Sequence, residues 1–416
     1  MNKNLQRIVV MGLGYIGLPT ASMLATKGHQ VLGVDVNEAA VATINAGQIH
    51  IVEPDLDILV RSAVNSGNLK ASVVPEEADT FILAVPTPFK RVPGNVEKIP
   101  DISYIEAATR SIAPYLKEGN LVILESTSPV GTTERIGEII AELRPDLMNS
   151  RSTTQRSALV HVAHCPERVL PGHIIRELVD NDRIIGGVDK ASAEKARDLY
   201  KTFCNGGIFL TDSRTAEMAK LVENSSRDVN IAFANELSMI CDRLGINVWE
   251  LIDLANKHPR VNILQPGPGV GGHCIAVDPW FIVAAAPKEA RLIRTAREVN
   301  DSKPHWVFER VRSKAEKFKN PVIGCLGLAF KANIDDLRES PALEITRELI
   351  HAGVGRVMAC EPNASGEFAE FPLYELSEVL AAADILLVLV DHDEFKEIDH
   401  ELLKEKVVID TRGVWR

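Results

Sequence analysis

Three glycines, Gly12, Gly14 and Gly17, stand between two short apolar runs, Arg7–Met11 and Gln30–Val34, and that spacing fixes how the chain must begin to fold. The first run reads as a buried parallel strand. Leu18 to Lys27 reads as a helix closed by Gly28, and the second run leads into a carboxylate, Asp35. Strand, glycine turn, helix, strand and acid in this order make a Rossmann unit that binds a dinucleotide. Gly12 permits the tight turn, Gly14 lets a pyrophosphate approach the backbone, and Gly17 lets the helix pack against the strand. Tyr15 and Ile16 stand at the helix N-terminus, where amides and the positive dipole end suit phosphate. Asp35 can accept hydrogen bonds from ribose hydroxyls. No Lys or Arg follows it within several positions, so a 2′-phosphate would meet repulsion, and NAD is expected rather than NADP.

A second stretch carries reactive chemistry. From Pro266 to Gly272, four glycines and two prolines leave no room for a helix or strand interior, so the segment is a loop. At positions such as Gly271 a substrate can come close to the backbone. The loop leads into one soft nucleophile, Cys274, with a carboxylate, Asp278, four residues on. A thiolate attacks carbonyls, and a cysteine that holds an acyl group implies oxidation beyond the aldehyde. Taken alone, the same loop also reads as a structural turn beside a buried thiol. His273 next to Cys274 makes no metal site, because no second ligand pair lies at metal spacing.

A chain of 416 residues is too long for one ordinary core and implies two or three domains. The formal net charge of -11 argues against a nucleic-acid surface, while local basic pockets can still bind an anionic small molecule. No apolar run reaches transmembrane length, and the N-terminal apolar stretch reads as the first strand rather than a signal peptide. Six scattered cysteines without a C-x-x-C pair fit reduced thiols in a cytoplasm.

Apolar strands at Thr80 to Val85 and Asn120 to Glu125 end at Pro86-Thr87-Pro and Ser126-Thr127-Ser. Ligands of such sheets bind beyond the carboxyl ends of strands, so Thr87 and Thr127 are candidate contacts; the plainer reading is two ordinary turns. A further short strand, His161 to Cys165, leads into Pro166-Glu167-Arg168. Helical spacing runs from Thr215 to Leu244, with Asp212 or Ser213 as N-cap and Gly245 as the stop. Lys220 and Asn224 are four apart and share one face, which by itself reads as a solvated polar stripe. Ala216, Ala219, Ile231, Ala234 and Met239 lie off this helix's main apolar stripe, so two sides need cover. Helices follow at Trp249 to Lys257 and Ala290 to Asn300. A break through Asp301 to Pro304 is expected before a new helix, His305 to Lys319. Strands at Val357 to Cys360, Ala383 to Val390 and Val407 to Asp410, with a helix from Pro341 to Ala352, make a second α/β unit. The expected fold is α/β: two Rossmann-like doubly wound domains, 1–211 and 304–416, joined by a central all-helical dimerisation region, 212–303.

These pieces resemble the UDP-glucose/GDP-mannose dehydrogenase family over the whole length. The resembling motifs are Gly12-Leu-Gly-Tyr-Ile-Gly-Leu-Pro, Glu125-Ser-Thr-Ser-Pro-Val-Gly, Cys165-Pro-Glu-Arg, Glu217-Met-Ala-Lys-Leu-Val-Glu-Asn224, Gly271-Gly-His-Cys-Ile-Ala-Val-Asp278 and Phe330-Lys-Ala-Asn-Ile-Asp-Asp-Leu-Arg-Glu-Ser-Pro341. Glu53-Pro-Asp, the segment from His258 to Gly269, and the ending Gly413-Val-Trp-Arg are similar to members that oxidise UDP-N-acetyl-D-mannosamine for bacterial surface polysaccharides. The resemblance implies two successive hydride transfers from the sugar C6 to NAD, with Cys274 holding a thiohemiacetal and then a thioester. It implies Lys220, Asn224 and Asp278 around the reacting oxygen, and Thr127 positioning water or a sugar hydroxyl. It places Arg168, Lys331 and Arg412 on the nucleotide sugar, Arg338 on the cofactor, and Arg260 across a homodimer interface in the partner's site. Glucose-type members have a second glutamate four residues after the one matched by Glu167; here that position is Pro171, which leaves Glu167 as the candidate base for thioester hydrolysis.

Other readings predict different behaviour. The same oxidation of UDP-N-acetylglucosamine, UDP-glucose or GDP-mannose would show in a substrate panel. A non-enzymatic NAD-binding scaffold would make no NADH from any of them. A one-step hydroxyacid dehydrogenase would leave Cys274 and the second α/β unit without a role.

Overall fold

The middle strands of the first sheet are buried on both faces, because the runs that make them are apolar. The structure is a computed structural model that describes residues 5–90, 98–147, 159–170, 172–272, 274–364 and 370–416; His273 and Pro171 lie outside them. The chain divides into two units, Met1–Val222 and Glu223–Arg416. In the first, the strands are β1 Arg7–Met11, β2 Gln30–Val34, β3 Leu69–Ser72, β4 Thr80–Leu83, β5 Leu121–Leu124, β6 His161–His164, β7 Arg183–Gly187 and β8 Ile208–Asp212. Their order is β3-β2-β1-β4-β5-β6-β7-β8. Every neighbouring pair is parallel except β6 with β7. Each residue of β4 and β5 is buried. The first helix, Gly17–Thr26, is buried from Gly17 to Ala25, as a helix apolar on most sides must be. The strand order reverses between β1 and β4, which opens a crevice at their carboxyl ends.

The second unit holds β9 Val322–Leu326, β10 Arg356–Cys360, β11 Ile385–Val388 and β12 Val407–Asp410, all parallel in the order β10-β9-β11-β12. Its helices include Val248–Ala255, Asp278–Ala285, Arg291–Ala315 and Pro341–His351. The expected break at Pro304 is absent: Arg291–Ala315 is one helix with Pro304 inside it. An interior proline costs about 3 kcal/mol. Burial on both sides of it offsets that cost, through Arg297 and Asn300 before it and Val307, Phe308 and Val311 after it. The glycine-rich loop ends where Asp278 and Pro279 start a helix, a position that tolerates proline because its missing N–H is not needed.

The long helix Ser213–Leu244 is capped by Asp212, whose carboxylate takes the Thr215 N–H at 2.9 Å and hydroxyl at 2.7 Å. It buries polar side chains beside apolar ones such as Leu221 and Ala234, and exposes a set of large apolar ones. Glu217, Lys220, Asp228 and Asn235 are buried, whereas Met218, Val222, Phe233, Ile240 and Leu244 are exposed, Phe233 by 53% and Leu244 by 63%. The exposed set recurs at spacings of four, seven and eleven, a single helical stripe.

Candidate active site

The dinucleotide turn has the geometry its glycines predict. Gly12 has φ +89°, and a Cβ there would lie 2.6 Å from the Ala84 carbonyl oxygen beyond β4. A Cβ on Gly17 would overlap the Gly12 carbonyl oxygen, while one on Gly14 would meet nothing within 4 Å. Gly14 is exposed, so this open backbone is where a pyrophosphate fits. Tyr15 and Ile16 are half-buried at the helix entry, and Tyr15 packs on the core beneath. Asp35 accepts from the amides of Leu13 and Asn37, each at 2.9 Å. Those bonds fix its carboxylate at the end of β2 with acceptor capacity left for ribose hydroxyls. The residues present fit NAD.

Thr87 and Thr127 come together: the Thr87 hydroxyl donates to the Thr127 carbonyl at 2.6 Å, and Ser126 donates to the Val85 carbonyl at 2.6 Å. The turn after β5 is held by Glu217, whose carboxylate accepts from Gly131 N at 2.6 Å, Thr133 N at 2.7 Å and the Thr133 hydroxyl at 2.6 Å. Lys220 lies one turn further along the same helix and is buried. Its charge and burial hold the nearby His164 neutral; burial, the larger cause, pushes that imidazole down to about 3. Glu167 is buried and paired with Arg183 at 3.1 Å, and its other oxygen accepts the Arg168 N–H at 2.8 Å. The Arg168 guanidinium donates to the Asp182 carbonyl at 3.0 Å. Glu53 accepts from Gly172 N and Ile174 N at 2.9 and 2.8 Å, anchoring the segment that follows.

In the second unit, Cys274 is exposed and opens the turn into Asp278: its carbonyl accepts the Val277 and Asp278 N–H at 3.1 and 2.9 Å. Asp278 is buried and takes the Asn224 amide at 2.5 Å, so two of the expected site residues are bonded to each other. Burial pushes the thiols of Cys165, Cys325 and Cys360 up to about 12 and raises that of Cys241. Cys274 is the exposed thiol, and Cys204 is partly buried. A Cβ on Gly271 would lie 2.7 Å from Pro341 Cδ and overlap the Glu339 carbonyl oxygen, so only glycine fits there.

Lys331 and Arg412 line a depression of about 30 Å³ with Pro268, Gly269, Phe330 and Asp391. It lies at the carboxyl ends of β9, β11 and β12, where the order of the second sheet reverses. Asp391 holds Arg412 at 2.7 Å, and a Cβ on Gly267 would lie 2.7 Å from Arg412 Nη1. Arg338 is exposed and paired with Asp336 at 2.6 Å, and Arg260 is exposed.

Sequence reasoning missed a buried polar chain. Arg297 donates to Asp228 at 2.6 Å, and Asn300 to Asp228 at 2.8 Å. Asn235 then donates to Asn300, and Gly267 N to Asn235, each at 2.8 Å. The chain ties the long helix to the start of the cysteine loop. Asp228 and Asn235, seven apart on a helix, were the available signal.

The chain matches the UDP-glucose/GDP-mannose dehydrogenase family models: the NAD binding domain over residues 6–204, the central domain over 214–302 and the UDP binding domain over 324–416. A relative in Ralstonia nicotianae, an NDP-N-acetyl-D-galactosaminuronic acid dehydrogenase, is 61% identical over 98% of this chain and 96% of its own. The UDP-N-acetyl-D-mannosamine dehydrogenase of Escherichia coli is 56% identical over 98% of this chain and 99% of its own. Among solved structures, the UDP-N-acetyl-mannosamine dehydrogenases of Pyrococcus horikoshii and Staphylococcus aureus both superpose with TM-score 0.86. The first is 40% identical over 99% of this chain and 96% of its own, the second 44% identical over 98% and 95%.

Proposed function

The chain belongs to the UDP-glucose/GDP-mannose dehydrogenase family, an NAD-dependent dehydrogenase of nucleotide sugars, and from that premise we propose that it oxidises the C6 hydroxyl of UDP-N-acetyl-D-mannosamine to the uronate in two steps through Cys274. The observation that carries this reading is one exposed thiol, Cys274, opening the turn that leads to Asp278, a buried carboxylate that accepts the partly buried Asn224 amide. NAD, which the Gly12–Gly17 turn and Asp35 would hold, would supply the hydride acceptor, one molecule for each oxidation. The Lys220 ammonium stabilises oxyanion charge as the aldehyde forms and again as Cys274 adds to it. Asp278 and Asn224 hold the reacting oxygen and an ordered water, with Thr127 aligning the water or a sugar hydroxyl. Water then releases the acid and restores the thiol. Lys331 and Arg412 bind the anionic end of the nucleotide sugar, and Arg168 its approach.

The exposed stripe of the helix Ser213–Leu244 supports a homodimer. Arg260 would then complete the partner's site. An exposed catalytic thiol suits a reducing cytoplasm, and among the described residues no helix is long and apolar enough to cross a membrane. The product fits bacterial surface polysaccharide synthesis. The Ralstonia relative, at 61% identity, favours a second reading in which the hexosamine has the galacto configuration. NADH production with UDP-N-acetylmannosamine, its C2 epimer UDP-N-acetylglucosamine, the galacto isomer UDP-N-acetylgalactosamine, UDP-glucose and GDP-mannose tests both. The proposal expects the manno sugar to give the highest kcat/KM; preference for the galacto epimer establishes the second reading.

A further inference from the structure

A cleft of about 440 Å³ opens in the second unit between the helices Ser213–Leu244 and Arg291–Ala315 and the strand β12. Ser238, Trp249, Lys303, Trp306, Arg310 and Asp410 stand in its walls. It shares no lining residue with the depression that holds Lys331 and Arg412. Lys303 is 2% exposed. Its ammonium donates to the Ser238 hydroxyl and to the Asn235 carbonyl at 3.5 Å, and lies 4.2 Å from the Trp306 ring centre. Ser238 donates its own proton to the Asn235 carbonyl at 2.6 Å, so its oxygen is left to accept from Lys303. Among the described residues no carboxylate pairs with Lys303.

The other charges on the wall are already engaged. Arg310 pairs with Asp242. Asp410 accepts the amides of Arg412, Gly413 and Trp415 at 2.9, 2.7 and 2.8 Å. One buried cation is thus left without an anion, which is costly until a partner arrives. Burial first, then the charge of Arg310, push the Lys303 amine down to about 7, while Asp242 opposes that shift. Ile246, Val248 and Ile409 give the cleft an apolar side. Its volume falls among those of small-molecule sites, about 300–1,000 Å³.

We propose that this cleft is a second ligand site, which takes a small organic anion with its charged head against Lys303 and an apolar ring along Trp249, Val248 and Ile409. The head supplies the ion pair that Lys303 lacks. The site is independent of the oxidation proposed above, and its test reads binding rather than turnover.

The probes are 2-naphthoate, ionised throughout the range used, and 2-naphthyl phosphate, each titrated calorimetrically into the intact protein. Binding needs the ammonium, so the naphthoate Kd should rise about tenfold from one pH unit below about 7 to one unit above. Binding near the midpoint should take up protons, read from the heats in buffers of different ionisation enthalpy. Lys303→Met keeps the side-chain reach without the charge. It should weaken naphthoate binding at least about tenfold and remove both the pH dependence and the proton uptake. The tighter of the two probes tells a carboxylate head from a phosphate one. Undiminished binding by Lys303→Met, a wild-type Kd that ignores pH, or no binding of either probe overturns the proposal. A measurement on the wild type alone covers a variant that fails to fold. Formaldehyde with cyanoborohydride should methylate the Lys303 amine through the cleft, read by peptide mass. Naphthoate at about ten times its Kd should slow that labelling about tenfold and leave the exposed Lys190 unaffected. Equal labelling of Lys303 with and without naphthoate, or none at any pH, overturns the site.

Discussion

Cys274 differs from the other five cysteines in solvent access, and that difference makes it the proposed nucleophile. The other thiols are buried or partly buried, and four of them are pushed to higher pKa by burial. Cys274→Ala should therefore abolish uronate formation while leaving NAD affinity nearly unchanged, because the dinucleotide turn lies in the other unit. Isothermal titration with NAD and product analysis by mass spectrometry check the two halves of that statement. Near-normal uronate production would remove the covalent route. Asp35 makes a second residue-scale prediction. Its carboxylate is fixed by the Leu13 and Asn37 amides at the end of β2, where a 2′-phosphate would sit. A preference for NAD over NADP of at least about tenfold follows from about 1–3 kcal/mol of like-charge cost. Asp35→Ala should weaken NAD binding and narrow the gap, measured as kcat/KM for both cofactors. Equal use of both by the unmutated protein would show that Asp35 does not face the ribose.

At the scale of elements, Glu217 joins the turn after β5 to the helix that carries Lys220. Glu217→Ala leaves the Gly131 and Thr133 amides without their acceptor and should cost about 1–3 kcal/mol in denaturant unfolding. It should also lower kcat, since Thr127 and Lys220 lose their common anchor. A variant as stable and as active as the parent would show that the turn holds itself. What could be read from sequence follows the same division. Most strands of both sheets announced themselves as apolar runs, though Leu69–Ser72 with its Lys70 did not, and the glycine turn named its cofactor, because those signals are local. The continuous helix through Pro304 was hidden because tertiary burial overrode a local breaker. The cleft around Lys303 was hidden for another reason. Its walls come from separate helices and a strand far apart in the chain and meet only in the folded unit. The long helix gave its apolar stripe plainly, but periodicity cannot say which stripe faces inward. Here the inward face mixes Leu221, Ala232 and Cys241 with Asp228 and Asn235.

For the whole molecule, the apolar side chains left exposed on that helix make assembly the expectation. Met218, Val222, Phe233, Ile240 and Leu244 expose a continuous apolar stripe that a second copy would cover. Phe233→Asp should convert a dimer to monomers in light scattering and lower activity with them. Mixing Arg260→Ala with Cys274→Ala protein should restore some activity, since one hybrid site receives both intact groups. A fully active monomer at assay concentration would refute the shared site. The covalent two-step oxidation itself is tested most directly by stoichiometry. With UDP-N-acetylmannosamine limiting and NAD in excess, two NADH should form per sugar nucleotide consumed, and the quenched enzyme should carry the acyl mass on Cys274. One NADH per sugar, with an aldehyde released and Cys274 unmodified, would contradict it.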